Sequence, residues 1–335
     1  MTTTPVLARQ PALGLAGITL VVPVALLLAL GAGGAEPSLL VLAPLSTFGL
    51  PVIAMIAFWW EDWPGSSLRR QAWSGWVDTL LVIAGAVVLT MLGQALAERF
   101  DLRGVFDPTP GAGHAPTFPA TMPLAAAAFV AMLELTLVSE GWPLHRLGRL
   151  TAGVVALVVS WGIGLAVYAL IDRTGVLAGA TFGALLVSIG VWQVVLFVVL
   201  QGWPLSELRG EAARLVCANA IVIGGGWLTY VALHRLAGWR PGTISAAGGV
   251  IVAGALLVGM LLEGWPGIED ARGRALTLAS AAAVAAVLYV ALTAYADGLH
   301  WTRGEPEDWV AHAGLNAIGA GVILHVAIGR RWPFG

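Results

Sequence analysis

The chain has 335 residues, of which 58% are hydrophobic and only 11% are charged, and its formal net charge is −2. A soluble domain carries roughly 25% charged residues, and one soluble core cannot bury this much apolar surface beneath so few polar side chains. The composition therefore excludes a soluble enzyme, a nucleic-acid-binding protein and a disordered tail, and it indicates a polytopic all-α membrane protein.

Ten segments are long and apolar enough to cross a bilayer, which requires about 20 mainly apolar residues. In chain order they lie at about 12–34, 38–60, 73–97, 123–141, 150–171, 177–201, 211–235, 243–263, 274–297 and 307–329. The first segment is similar to a secretory signal, but its apolar part exceeds the roughly 7–15 residues of a signal's apolar region. We therefore expect it to be retained as the first span.

Two features of the connections predict how the chain is oriented. Eleven of the 17 basic residues, all of them arginine, fall on one side of the predicted spans and six on the other. The richer side is expected to be cytoplasmic, which predicts a bacterial inner-membrane protein with both termini in the cytoplasm. The one long connection, 98–122, is rich in Pro and Gly and is predicted to be an extracytoplasmic loop, either a lid or disordered.

A short motif recurs where each even-numbered segment ends: Glu or Gln, one further residue, then Trp-Pro. Its copies are Glu61, Trp63 and Pro64; Glu140, Trp142 and Pro143; Gln201, Trp203 and Pro204; Glu263, Trp265 and Pro266; and a degenerate Arg330-Arg331-Trp332-Pro333. The recurrence predicts five tandem helical hairpins of the same orientation. They form one transmembrane domain, 1–335, with repeats at about 12–64, 73–143, 150–204, 211–266 and 274–333.

The motif residues suit the end of a membrane helix. Gly lets the helix end turn, Pro prevents it from resuming, and Trp favours the headgroup region. A carboxylate at this end meets the negative pole of the helix dipole, so we expect an arginine of the next hairpin to pair with it, as Arg146 or Arg149 with Glu140. Two interpretations remain open: a helix stop with an interfacial anchor, and a gate built from ion pairs.

Two carboxylates break the repeat. Asp78 lies 14 residues after its motif proline, where the other repeats have Leu, Ala or Ser, and Glu134 lies nine before its own, where the others have Met, Val or Leu. Both are placed at matching depth within one hairpin, and intramembrane carboxylates suggest a functional site. We predict a substrate or proton pathway in which they share a proton; alternatively, each pairs with a nearby arginine or with water.

The last segment adds a second departure, since His312 and Asn316 are four residues apart and share a helix face. We predict that they belong to the polar pathway, with a hydrogen-bonded histidine between helices as the alternative. A haem held through His312 and His325 is disfavoured, because their side-chain directions differ by roughly 140° around the helix. No cofactor and no metal are expected. Other polar groups within spans, such as Gln193, are expected to join helices by hydrogen bonds.

Three functions remain, and no motif names a substrate. A permease or channel for a small solute is favoured, with proton coupling through the carboxylates as a further hypothesis. The alternative is a non-catalytic membrane-anchoring subunit of a larger complex, favoured by the scarcity of polar residues. A membrane enzyme acting on lipid or using haem comes third, and enzyme activity is not expected. Predicted partners are bilayer lipids, a small solute, and other membrane subunits or further copies of the chain, but no nucleic acid.

Overall fold

The computed structural model describes residues 9–31, 33–68, 71–265, 267 and 270–334, without the side chains of Gln71 and Ala72. These residues form helices joined by turns and loops, and no strand occurs among them. The helices are α1 (Ala12–Leu30), α2 (Ala35–Trp59), α3 (Gln71–Ala97), α4 (Leu102–Phe106), α5 (Met122–Val138), α6 (Arg149–Thr174), α7 (Gly179–Val199), α8 (Glu211–Leu236), α9 (Pro241–Leu261), α10 (Ala271–Asp297) and α11 (Pro306–Ile328).

Within the described ranges, nine helices are long and apolar enough to cross a membrane. The chain is therefore an all-helical, multi-pass membrane protein, as the composition predicted. The tenth predicted span, 123–141, corresponds to α5, which is shorter because it ends at Val138. Its length of about 26 Å at 1.5 Å per residue falls just below the roughly 30 Å of a hydrocarbon core.

An inner ring of helices forms the centre of the part of the chain that the structure describes. α2 packs on α5, α5 on α7, α7 on α9 and α9 on α11, and α11 returns to α2. In α2 and α9, 78% of the residues in the apolar stretch are buried, against 22% in α3, α6, α8 and α10. The helices α2, α5, α7, α9 and α11 are called the inner helices below, and α1, α3, α6, α8 and α10 the outer helices.

Each outer helix packs over the groove between two inner helices. α6 lies on α5 and the end of α2, α8 on α7 and the end of α5, and α10 on α9 and the end of α7. α3 lies on α2 and the end of α11, and α1 lies on α11 and the end of α9. The short motif turn thus folds most outer helices back onto the inner helix that precedes them in the chain, as short connections between antiparallel helices do.

The inner helices end in the same backbone turn. Each finishes with a five-residue π-helical turn, at Met55–Trp59, Glu134–Val138, Val195–Val199, Leu257–Leu261 and Leu324–Ile328. The first motif residue has a left-handed backbone, with φ of 50° at Glu140, and the next residue is left-handed too, with φ of 75° at Gly141. The Gly141 N–H donates back to Leu135 O at 2.9 Å, and the other copies form the equivalent bond. The turn was expected of Gly alone, but the motif acid takes part in it.

Glu140 and Glu263 do not pair with the arginines that open the next hairpin, so the expectation is wrong for these two acids. The arginines expected for Glu61, Arg69 and Arg70, lie outside the described residues. Arg149 donates to Glu61 at 2.9 Å, and Arg214 donates to both carboxylate oxygens of Glu140 at 2.7 and 2.6 Å. The reason lies in the packing. The outer helix that directly follows a motif covers the groove on the other side of that inner helix. The next outer helix along the chain covers the groove beside the acid and supplies the arginine.

Arg331 joins the last inner helix to its neighbour. The residue is only 7% exposed, and its guanidinium donates to Met260 O, Leu261 O and Glu263 at 2.8, 2.9 and 2.7 Å. Burial lowers the pKa of Arg331 from its ordinary value, and Glu263 opposes that shift. The preceding residue, Arg330, donates to Asp62 at 3.3 Å. These bonds fix the end of α11 to the ends of α9 and α2, where the ring closes.

The partner of Glu140 can be tested by exchanging charges. E140R should lower the melting temperature in detergent, and adding R214E should restore most of the loss. Adding R149E to E140R should restore nothing, because Arg149 pairs with Glu61. We expect a coupling of about 0.5–1 kcal/mol, since both side chains are partly exposed. Rescue of E140R by R149E would instead mean that Glu140 pairs with Arg149, the arginine that opens the next hairpin.

Removal of the Arg331 side chain should destabilise the protein far more than loss of an exposed arginine. In R331A the Glu263 carboxylate loses its partner and two helix-end carbonyls lose their donor, which we expect to cost about 3 kcal/mol of unfolding free energy. The control, R149A, breaks an exposed pair and should cost no more than about 1 kcal/mol. Thermal unfolding in detergent measures both. Equal losses would mean that Arg331 does not close the ring.

Candidate functional site

A cavity of about 60 Å³ lies inside the inner ring, and all five inner helices contribute to its wall. The wall residues recur at fixed distances from the motif prolines. At fourteen residues before the motif proline, the wall residues are Leu50, Phe129, Gly190, Val252 and Gly319. At ten residues before it they are Leu133, Val194, Leu256 and Ile323, and at six residues before it they are Phe58, Leu137, Val198 and Met260. The inner helices therefore turn the same face to one shared axis.

The wall of this axial cavity is almost entirely apolar. Its one hydroxyl belongs to Thr47, which donates at 2.8 Å to Ala43 O of its own helix. An ion entering such a space would lose its hydration without receiving replacement ligands, which is strongly unfavourable. The cavity suits an uncharged molecule of a few heavy atoms.

Glu134 lies between the adjacent inner helices α5 and α7, at the start of the π-helical turn of α5. Its Oε2 accepts a 2.5 Å hydrogen bond from Gln193 Nε2, which also donates to Val130 O at 3.1 Å. Gln193 is fully buried, and neither Glu134 Oε1 nor Gln193 Oε1 has a hydrogen-bond partner among the described residues. Glu134 does not line the axial cavity, so this polar pair is off the axis.

Sequence reasoning treated Gln193 only as a polar group joining helices. The comparison of the repeats at equal distances from their motif prolines, which singled out Glu134, would also have singled out Gln193. Gln193 lies eleven residues before its motif proline, where the other repeats have Ile53, Met132, Ala255 and Val322. Two residues that break the repeat, Glu134 and Gln193, are therefore bonded to each other.

Asp78 has a different environment from Glu134. It is fully buried, and its Oδ1 accepts a 2.8 Å bond from the Gly65 N–H in the turn that follows the first motif. A Cβ on residue 65 would come within 2.1 Å of Asp78 Oδ2, so the close approach requires Gly65. No hydrogen bond joins Asp78 to Glu134, so the structure does not form the predicted proton-sharing pair through direct contact.

His312 and Asn316 are brought together, as their spacing predicted. Asn316 Nδ2 lies 3.4 Å from His312 Nδ1, and Ser38 Oγ lies 3.5 Å from His312 Nε2. Ser38 donates to Leu28 O, so His312 Nε2 carries the proton that Ser38 accepts. Asn316 Oδ1 has no hydrogen-bond partner in the part of the chain that the structure describes. His325 lies elsewhere, with its ring edge-on to Phe334.

On the motif side, a crevice of about 300 Å³ separates the ends of α5 and α7 from α8. It is lined by Thr136, Glu140, Gln201, Ser206 and Arg214, among others. Of the motif tryptophans, Trp142 and Trp265 are half exposed, Trp63 packs edge-on to Trp60, and Arg274 lies over the ring of Trp203 at 4.7 Å. Pro266 lies outside the described residues.

The long loop 98–122 is held by hydrogen bonds on the opposite side. Asp101 caps α4 and accepts bonds from Gly104 N, Ala115 N and His114 Nδ1. Burial opposes ionisation of Asp101, but these bonds outweigh it and lower its pKa below the ordinary value. Arg303 donates to Pro108 O, and Glu36 accepts from the backbone N–H groups of residues 302–304. The first bond ties the loop to the α10–α11 connection, and the others tie that connection to α2.

Neither a metal cluster nor a known relative identifies the site. Within the described ranges, no three His, Cys, Asp or Glu side chains lie close enough together to hold a metal ion. Comparison with protein-family models, curated proteins and solved structures returned no match for this chain. The axial cavity and the buried polar groups therefore carry the functional argument.

Two substitutions can separate the hydrogen bond that Asp78 accepts from the effect of its negative charge. D78N keeps an oxygen that accepts the Gly65 N–H, so it should cost less than about 1 kcal/mol of unfolding free energy. D78A leaves this buried N–H without an acceptor and should cost about 1–3 kcal/mol. Thermal unfolding in detergent compares them. If D78N is as damaging as D78A, the negative charge matters and the capping role is insufficient.

Proposed function

We propose that this protein is a membrane channel or permease for a small uncharged solute, with its pathway along the axis of the inner ring. The observation that carries the proposal is the cavity walled by all five inner helices. A bundle that serves only as a scaffold has no need of such a space, because protein interiors otherwise pack closely. The apolar wall favours an uncharged solute and opposes water and ions by dewetting.

The five-hairpin repeat belongs to the same proposal. The recurrent π-helical turns, the left-handed motif residues and the common register of the wall all support five tandem units around one axis. Such an arrangement gives a pathway whose wall is built from equivalent positions. We place the motif side in the cytoplasm of a bacterial inner membrane, because that side carries eleven of the 17 arginines.

The proton-coupling hypothesis narrows to Glu134. Asp78 is engaged by the Gly65 N–H, whereas Glu134 and its partner Gln193 retain unpartnered oxygens between two inner helices. Neither carboxylate lines the axial cavity. A coupling role for Glu134 would therefore act through the contact of α5 with α7 and without direct contact with the solute.

Gly190 offers a direct test of the axial pathway. It lines the cavity, and a Cβ there would meet no atom within 4 Å, so the side chain of G190L should extend into the cavity and occupy it. We expect G190L to abolish solute flux at a cost of no more than about 1–3 kcal/mol of unfolding free energy, the usual range for added side-chain volume in a packed interior. The control is G162L, which adds the same side chain at an open, exposed position on α6.

The measurement is stopped-flow light scattering of proteoliposomes challenged with urea, with glycerol and with ammonia, beside empty liposomes. Wild type and G162L should raise permeability to at least one of these solutes, and G190L should match empty liposomes. Equal flux through wild type and G190L would remove the pathway from the ring axis. No flux through wild type, together with a stoichiometric partner chain on purification, would favour the membrane-anchoring subunit.

A further inference from the structure

The orientation of the Gln193 amide is fixed by its neighbours. Val130 O accepts only, and so does the Glu134 carboxylate oxygen at 2.5 Å, so both must face the Gln193 N–H₂ group. Gln193 Oε1 is consequently the other end of the amide, and it has no hydrogen-bond partner among the described residues although the side chain is fully buried. Glu134 Oε1 is the second unpaired buried oxygen of the same bonded pair.

One proton satisfies both oxygens. A carboxylic acid and a primary amide form a ring of two hydrogen bonds, in which the amide N–H donates to the acid carbonyl and the acid O–H donates to the amide carbonyl. The first of these bonds is present between Gln193 Nε2 and Glu134 Oε2, and the unpaired oxygens are the two atoms that the second would join. We propose that Glu134 and Gln193 form a proton-binding site between the inner helices α5 and α7, with the proton on Glu134 Oε1.

The surrounding charges favour a proton over a paired carboxylate. Among the described side chains, Glu134 forms no ion pair, and α7 carries no ionisable residue. Of the helices packed against this turn, α8 carries Glu211 and Arg214, which is bound to Glu140, at its start and Tyr230, His234 and Arg235 at its far end, with Cys217 between them. An ionised Glu134 would therefore be an uncompensated charge in an apolar environment. Two oxygens are also too few to replace the hydration shell of a metal cation.

Proton exchange has a route from the motif side. Thr136 and Leu137, two and three residues after Glu134, line the 300 Å³ crevice that opens beside Glu140 and Arg214. Release of the proton would leave a negative charge between α5 and α7 and break the second bond of the ring. Val130 and Leu133 of the same turn line the axial cavity. Proton binding at Glu134 would therefore control the distance between α5 and α7 in the cavity wall. The proposed proton site depends only on the Glu134–Gln193 pair, and it does not require that the axial cavity conduct a solute.

Infrared spectroscopy tests the site on the full-length protein in liposomes. Wild type at neutral pH should show the carbonyl band of a protonated, hydrogen-bonded carboxylic acid. The band should vanish in E134Q and move to higher frequency in Q193L, which removes the amide partner. The matched control D78N should leave it unchanged. E134Q is expected to fold, because a glutamine amide can donate to Gln193 Oε1 as the acid does.

A second measurement needs no variant. Dicyclohexylcarbodiimide adds to protonated carboxyl groups in apolar surroundings, and peptide mass spectrometry should locate the adduct at Glu134. Labelling should fall about tenfold per pH unit once Glu134 is mostly ionised. Absence of both the Glu134 band and the adduct would overturn the proposal. Loss of the band on adding sodium or potassium at constant pH would also overturn it, since the site would then hold a metal cation.

Discussion

The ends of the inner helices impose the constraint on which the rest of the structure depends. Each end brings several backbone carbonyls to the face of an apolar bundle, where unpaired polar groups are costly. The π-helical turn and the left-handed pair after it satisfy part of this requirement, as the bond from Gly141 N to Leu135 O does. The same turn reverses the chain over a few residues, so the following helix packs back on the outside of the ring. Arg331 supplies the donors at the end of α9, where the ring closes.

A ring built in this way has equivalent positions, and polar residues at those positions stand out. Apolar residues at common distances from the motif prolines form the axial wall. The polar departures lie beside this wall: Glu134 with Gln193 between α5 and α7, and His312 with Asn316 and Ser38 between α11 and α2. The proposed solute pathway and the proposed proton site therefore occupy different parts of the same ring, coupled through the helices that they share.

The position of a residue relative to its motif proline predicted how deep its side chain lies in the membrane, but not which neighbouring helix the side chain faces. Asp78 and Glu134 were placed at the same depth, yet one binds the turn after the first motif and the other binds Gln193. Depth follows from the rise per residue, whereas the groove that a side chain enters depends on the rotation and packing of its helix. The same limit explains Glu140. Its need for a cation was evident from the helix dipole, but the choice of Arg214 depended on which outer helix covers the groove.

The sequence alone determined the class of protein, the approximate bounds of its helices and the recurrence of the motif, because hydrophobic length and local turn chemistry are written in consecutive residues. It also singled out Glu134, His312 and Asn316 as departures from a pattern. Only the tertiary structure decided that even-numbered spans form the inner ring, that the axis holds a cavity, and that Glu134 meets Gln193. Those facts depend on contacts between residues far apart in the chain, such as 134 and 193. No local pattern specifies them, because each apolar helix has several faces that are equally able to pack.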